Sequence, residues 1–142
     1  MHTTEVSLRF EIMLVHLRWV DISVTGLTFK KRKNLNSRIN KIRDILDDKK
    51  ASDIEIFDLT SKDYLVDYVV IATTLNPKHG FALLDHLKTE LKPSGEEFLR
   101  VDEDDNWTVI DLGDVFIHLM SEKYREKYNL EDFLDSFQRP KE

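Results

Sequence analysis

The run Tyr68-Val69-Val70-Ile71-Ala72 is five uncharged residues, three of them β-branched. A strand of this kind is satisfied only in the middle of a sheet whose two faces are both covered. The chain is therefore expected to form an α/β fold, a mixed five-stranded sheet flanked by helices. Its 142 residues suit one domain, and 41% hydrophobic residues with only four glycines and three prolines are enough to build a core.

The surrounding pattern supplies the other elements. Leu35, Ile39, Ile42, Ile45 and Leu46 recur at helical spacing, with Asn34 or Asn36 as the capping residue. Ile54, Ile56 and Leu59 alternate with Asp53, Glu55 and Asp58 as in a half-exposed strand; Phe57 breaks the polar face, and an exposed Phe57 would suggest a contact. Asn76-Pro77 starts a second helix, with Phe81, Leu84, Leu87 and Leu91 on one face and Pro93-Ser94-Gly95 as the stop. The apolar stretch from Phe98 to Val101 then reads as a strand reached by a crossover, normally a parallel connection. Trp107 to Leu112 and Val115 to Met120 flank Gly113-Asp114 as an antiparallel hairpin. Ser121 caps a final helical region containing Tyr124, Tyr128, Leu130, Phe133 and Phe137.

Residues 34–137 are the expected domain, with 138–142 as a tail. Residues 1–33 form an extension of uncertain structure: Val6, Leu8, Phe10, Ile12 and Leu14 alternate like a strand, and Lys30-Lys31-Arg32-Lys33 reads as a solvated linker. Arg9, Glu11, Arg18 and Asp21 interrupt this region and spoil both a membrane span and a signal-peptide core, so no membrane partner is expected.

Charge and composition exclude several functions. There is no cysteine, hence no disulfide, thiolate nucleophile or cysteine-ligated metal. Residues 1–33 carry six basic and three acidic side chains, and the remainder fifteen and twenty-four, a net of −9. Such a field repels phosphate backbones and attracts basic proteins, so direct, extensive nucleic-acid binding is not expected. Neither a Gly-x-Gly-x-x-Gly nor a Gly-x-x-x-x-Gly-Lys loop is present to hold a nucleotide.

The candidate functional residues each admit two readings. Trp107 follows four consecutive acidic residues and an Asn; it is either core or an interface anchor with one indole face clear of the core. Asp111, Asp114 and His118 form either a metal or acid/base cluster, as in a divergent nucleotidyltransferase-like metal-dependent enzyme, or a plain Asx and glycine hairpin beside a hydrogen-bonded histidine. Asp67 and Tyr68 lead into the central strand, Asp67 to accept from loop amides and Tyr68 to present its hydroxyl. His79, in the first turn of a helix, reads as neutral and structural. Glu122 and Arg125 are spaced for an ion pair, and Tyr128 and Leu130 belong to either a partner surface or the core.

In order and spacing, Asp58-Leu59, Asp67-Tyr68-Val69-Val70-Ile71-Ala72-Thr73, His79, the stretch Trp107 to His118, and Glu122-x-x-Arg125-x-x-Tyr128-x-Leu130-Glu131 resemble ribosome silencing (Iojap-like) factors over roughly residues 35–134. Thr74 stands where that family usually has Gly, Asp102-Glu103 where Glu-Gly is usual, and Leu134 in place of a Trp. The resemblance implies a nucleotidyltransferase-like topology without catalysis, and neither a cofactor nor a metal. It further implies a cytoplasmic homodimer that binds the large ribosomal subunit through large-subunit ribosomal protein fourteen and keeps the small subunit away. Trp107, Asp111, Asp114, His118, Tyr68, Asp67 and Tyr128 are the residues expected to form the partner site.

Overall fold

The computed structural model describes residues 35–62 and 64–138. The strand reading at 6–14, the basic tract at 30–33, the Asn34 cap and the end of the tail lie outside them. Four helices and five strands follow in the order α1 (Leu35–Asp48), β1 (Ser52–Asp58), β2 (Tyr68–Thr74), α2 (Pro77–Leu91), β3 (Arg100–Asp102), β4 (Trp107–Asp111), β5 (Val115–Ser121), α3 (Glu122–Tyr128) and α4 (Leu130–Gln138). The strands form one mixed sheet in the order β1-β2-β5-β4-β3.

β2 occupies the interior of the sheet, as its composition requires, and all seven of its residues are buried. Its alternate side chains feed two separate cores. Val70 and Ala72 join Ile117, Leu119 and the apolar stripes of α1 and α2. Val69 and Ile71 join Phe57, Phe116, Met120 and, from α4, Leu130 and Leu134. The sheet is thus covered on both faces, by α1 and α2 on one and by α3 and α4 on the other.

The hairpin forms as expected. β4 and β5 pair antiparallel, from Trp107 opposite Met120 to Asp111 opposite Phe116. At the turn Gly113 adopts φ 99°, a region that side chains with a Cβ rarely occupy. The Asn76-Pro77 start of α2 also holds: Asn76 is the N-cap and its side chain accepts from the His79 amide at 2.8 Å.

Several expectations are corrected. Phe57 is not exposed, because α4 and Val69 enclose it in the second core at 4% exposure. Phe81 is 39% exposed: the buried stripe of α2 is Gly80, Leu83, Leu84, Leu87 and Leu91, so Leu84, Leu87 and Leu91 hold as expected while Phe81 falls just outside it. Asn36 lies inside α1 rather than capping it, and its Oδ1 faces the Tyr68 hydroxyl at 3.3 Å. The crossover from β2 does run to a strand of the same direction, but β5 and β4 stand between β2 and β3, and the parallel neighbour of β2 is β5. The final helical region is two helices, broken at Asn129, which adopts φ 49° and caps α3 in the left-handed conformation. Among the described non-glycine residues positive φ falls at Lys50, Asp53 and Asn129, so Thr74, where the resemblance led to the expectation of a glycine, carries none of that strain.

Candidate functional site

The register of the sheet divides the seven expected site residues between its two ends. Asp67, Tyr68, Asp111 and Asp114 gather at the hairpin turn, where Tyr68 is aligned with Val115 and the amides of Asp67 and Tyr68 donate to the Asp114 carbonyl at 3.0 and 3.2 Å. Trp107 lies opposite Met120 at the other end, and Tyr128 and His118 meet it there.

At the turn, Asp114 is 6% exposed and fully engaged. Arg38 donates to both of its oxygens, at 2.6 and 2.8 Å, and to both oxygens of Glu96, at 2.7 and 2.9 Å. Hydrogen bonding to Asp114 above all, with Glu96 added, holds the guanidinium charge firmly and pushes its pKa above the usual arginine value. Asp111 lies on the opposite face of the sheet, in register with Phe116, and its Oδ1 accepts from the Gly113 amide at 2.7 Å. Burial raises its carboxyl to about 6, against the opposing pull of the Gly113 amide and Arg100, with the charge of Asp114 adding to the rise. Tyr68 is buried, its hydroxyl 3.3 Å from both Asn36 Oδ1 and Asp58 Oδ2.

At the other end, Trp107 is partly exposed and donates its indole N–H to His118 Nδ1 at 2.9 Å. Tyr128 lies across the indole with ring centroids 5.8 Å apart, and Tyr124 meets Tyr128 edge-on at 5.3 Å. Tyr124 and Tyr128 are one turn apart on α3, which Ser121 caps by accepting from the Tyr124 amide. His118 is 1% exposed, and burial depresses it to about 3, so it stands neutral at physiological pH.

The expected site residues differ in exposure. His118, Asp111, Asp114 and Tyr68 are buried, whereas Trp107, Tyr128 and Asp67 are partly exposed. Nor do the hairpin aspartates and His118 converge as a metal or acid/base cluster. Asp114 faces α1 while Asp111 and His118 lie on the other face, and among the described residues no group of three His, Cys, Asp or Glu could hold a metal ion.

Two arginines carry more than their sequence context promised. Arg38 stands three residues from Leu35 and four before Ile42, on the flank of the apolar stripe of α1, and a guanidinium there requires a carboxylate. Arg125 does not pair with Glu122. It reaches across to the carbonyl of Asp53, to Thr73 Oγ1 at 2.7 Å and to Glu131 at 2.7 Å, tying α3 to β1, β2 and α4. Beside it lies an open depression of about 570 Å³, rimmed by carboxylates that include Glu55, Glu122 and Glu126. His79 has the structural role expected of it, bridging the Leu75 amide at 2.9 Å and the Lys49 carbonyl at 2.8 Å.

Residues 32–141 match the family model described as "Ribosomal silencing factor during starvation". The chain is 34% identical over 92 residues to the ribosomal silencing factor RsfS of Haemophilus influenzae, covering 63% of this chain and 90% of that protein. It is 28% identical over 98 residues to the mouse protein named "Mitochondrial assembly of ribosomal large subunit protein 1", covering 66% of this chain and 43% of that protein. A crystal structure of a Chromobacterium violaceum protein shares the fold, with a TM-score of 0.68 at 24% identity over 77% of this chain and 92% of that one.

Proposed function

The chain belongs to the ribosomal silencing factor family, and on that premise we propose that it binds the large ribosomal subunit and blocks joining of the small one through the aromatic end of its sheet. The observation that carries this reading is Trp107, an indole partly in solvent yet fixed between His118 and Tyr128. A large aromatic surface that is already ordered loses little conformational freedom on binding, which is why such residues anchor interfaces. The carboxylates beside Arg125, with the net acidic charge of the domain, favour encounter with a basic protein.

We take that protein to be large-subunit ribosomal protein fourteen, as the family resemblance implies, and the factor to act as a cytoplasmic homodimer. The name of the mouse relative also associates that protein with the large subunit. No chemistry is needed. A domain with a radius of gyration of about 13 Å occupies space that the small subunit requires.

Light scattering of purified subunits tests the proposal. Preincubating large subunits with excess protein should suppress the rise in scattering when small subunits are added, and Trp107→Ala should restore it. Undiminished joining at saturating protein would overturn the reading.

A further inference from the structure

We propose that His118 is a positioning residue for partner binding: it touches no partner, but its Nδ1 fixes the orientation in which Trp107 presents its indole. The inference rests on the reading of Trp107 as an anchor and adds the cause of its geometry.

The argument begins with donors and acceptors. An indole nitrogen has one hydrogen and no lone pair to offer, so in the 2.9 Å contact between Trp107 Nε1 and His118 Nδ1 the tryptophan donates and the histidine accepts. That assignment puts the imidazole proton on Nε2. A protonated ring would be a donor at both nitrogens and would repel the indole N–H. Burial excludes that form, because His118 sits at 1% exposure among the side chains of the second core and is held neutral far into the acid range.

Rigidity follows from the strands. Val109 lies directly opposite His118 in the β4–β5 pair, and Trp107 is two residues before it on the same face. Two neighbouring strands thus fix both ends of the hydrogen bond. The rings lie 5.9 Å apart and tilted by 50°, so the polar contact is made in the plane of the indole rather than across its face. The face remains available to Tyr128 on one side. Without an acceptor at Nδ1, the inner edge of the indole would carry an unsatisfied N–H, and turning the ring toward water would relieve it.

His118→Asn keeps an acceptor, since Asn Oδ1 occupies nearly the position of Nδ1, whereas His118→Leu fills similar space with none. In a Trp19→Phe background Trp107 is the remaining tryptophan, and its indole ¹H–¹⁵N resonance reports the hydrogen bond directly. His118→Leu should shift that resonance upfield and weaken binding to purified large subunits by roughly fivefold to tenfold, the effect of one hydrogen bond. His118→Asn should retain the resonance and most of the affinity. In a Trp107→Phe background, which lacks the N–H, His118→Leu should add no further loss.

An equal additional loss in that background would assign His118 a general structural role and overturn the proposal. So would wild-type affinity for a folded His118→Leu protein. If Trp107→Ala itself binds large subunits like wild type, it is the partner face that fails, while the resonance still tests the hydrogen bond. Should His118→Leu fail to fold, His118→Asn decides: loss of the downfield indole resonance, or its retention together with lost affinity, contradicts the positioning role.

Discussion

At the hairpin end of the sheet, Arg38 is locked between the carboxylates of Asp114 and Glu96; at the opposite end, Trp107 gives its one N–H to His118 and leaves part of its ring in solvent. Both ends contain buried polar groups, and each end pairs them in its own way. The hairpin end does so with charges whose partners are all internal. The aromatic end does so with a neutral pair that keeps a ring in place at the surface. The same sheet thus carries one end that serves the fold and another that can serve recognition, although the stretch Trp107 to His118 contributes residues to both.

The largest effect separating the two ends is expected at Arg38. Arg38→Met strands two buried carboxylates and should cost about 3–5 kcal/mol in urea unfolding, while the protein that remains folded binds large subunits normally. A comparable loss of affinity would break the comparison. Trp107→Ala should do the opposite, reducing affinity by about 2 kcal/mol or more, roughly thirtyfold, in calorimetric titration, with a smaller change in stability.

The ends also differ in the sign of their pH dependence. Asp111 titrates near 6 in the fold against 3.8 in the reference state, so its contribution is present below 3.8 and lost as pH rises through 6. Asp111→Asn should therefore raise stability at about pH 8 by about 1–2 kcal/mol, discounted for partial solvation, and bring no gain near pH 3. His118 titrates near 3 against 6.5, so its contribution is present above 6.5 and lost as pH falls toward 3. Denaturant midpoints across pH 3–8 should accordingly be flattened on the acid side by His118→Asn. The smallest effect is expected at Lys127, whose ammonium lies 5.2 Å from the Tyr128 ring centroid. Lys127→Ala should change affinity and stability by about 0.5 kcal/mol or less.

What the sequence revealed was decided by local chemistry. The Asn76-Pro77 helix start, the Asx and glycine turn at Asp111 to Gly113, and the buried β2 run each follow from a few adjacent residues. What it hid depended on distant partners. Phe57 looked misplaced on a polar face because the helix that covers it begins some seventy residues later, at Leu130. Phe81 lies at the edge of the α2 stripe, and which of the neighbouring positions is buried depends on the packing of α2 against the sheet, where Gly80 and Leu83 are inside and Phe81 is not. Arg38 sits in a helix of mixed charges whose sequence names no partner for it, and Arg125 has Glu122 at helical spacing while its partners lie on β1, β2 and α4. Of the site residues, the family resemblance singled out Trp107 and Tyr128 together with the hairpin aspartates, and only the register of β4 and β5 separates the two groups.

Hydrogen exchange on the protein bound to purified large subunits tests the division most directly. Backbone amides of residues 106–109 and 124–129 should gain protection relative to the free protein, while those of residues 112–115 and 36–40 keep their free-state rates. Protection concentrated at the hairpin turn, with none around Trp107, would contradict the account.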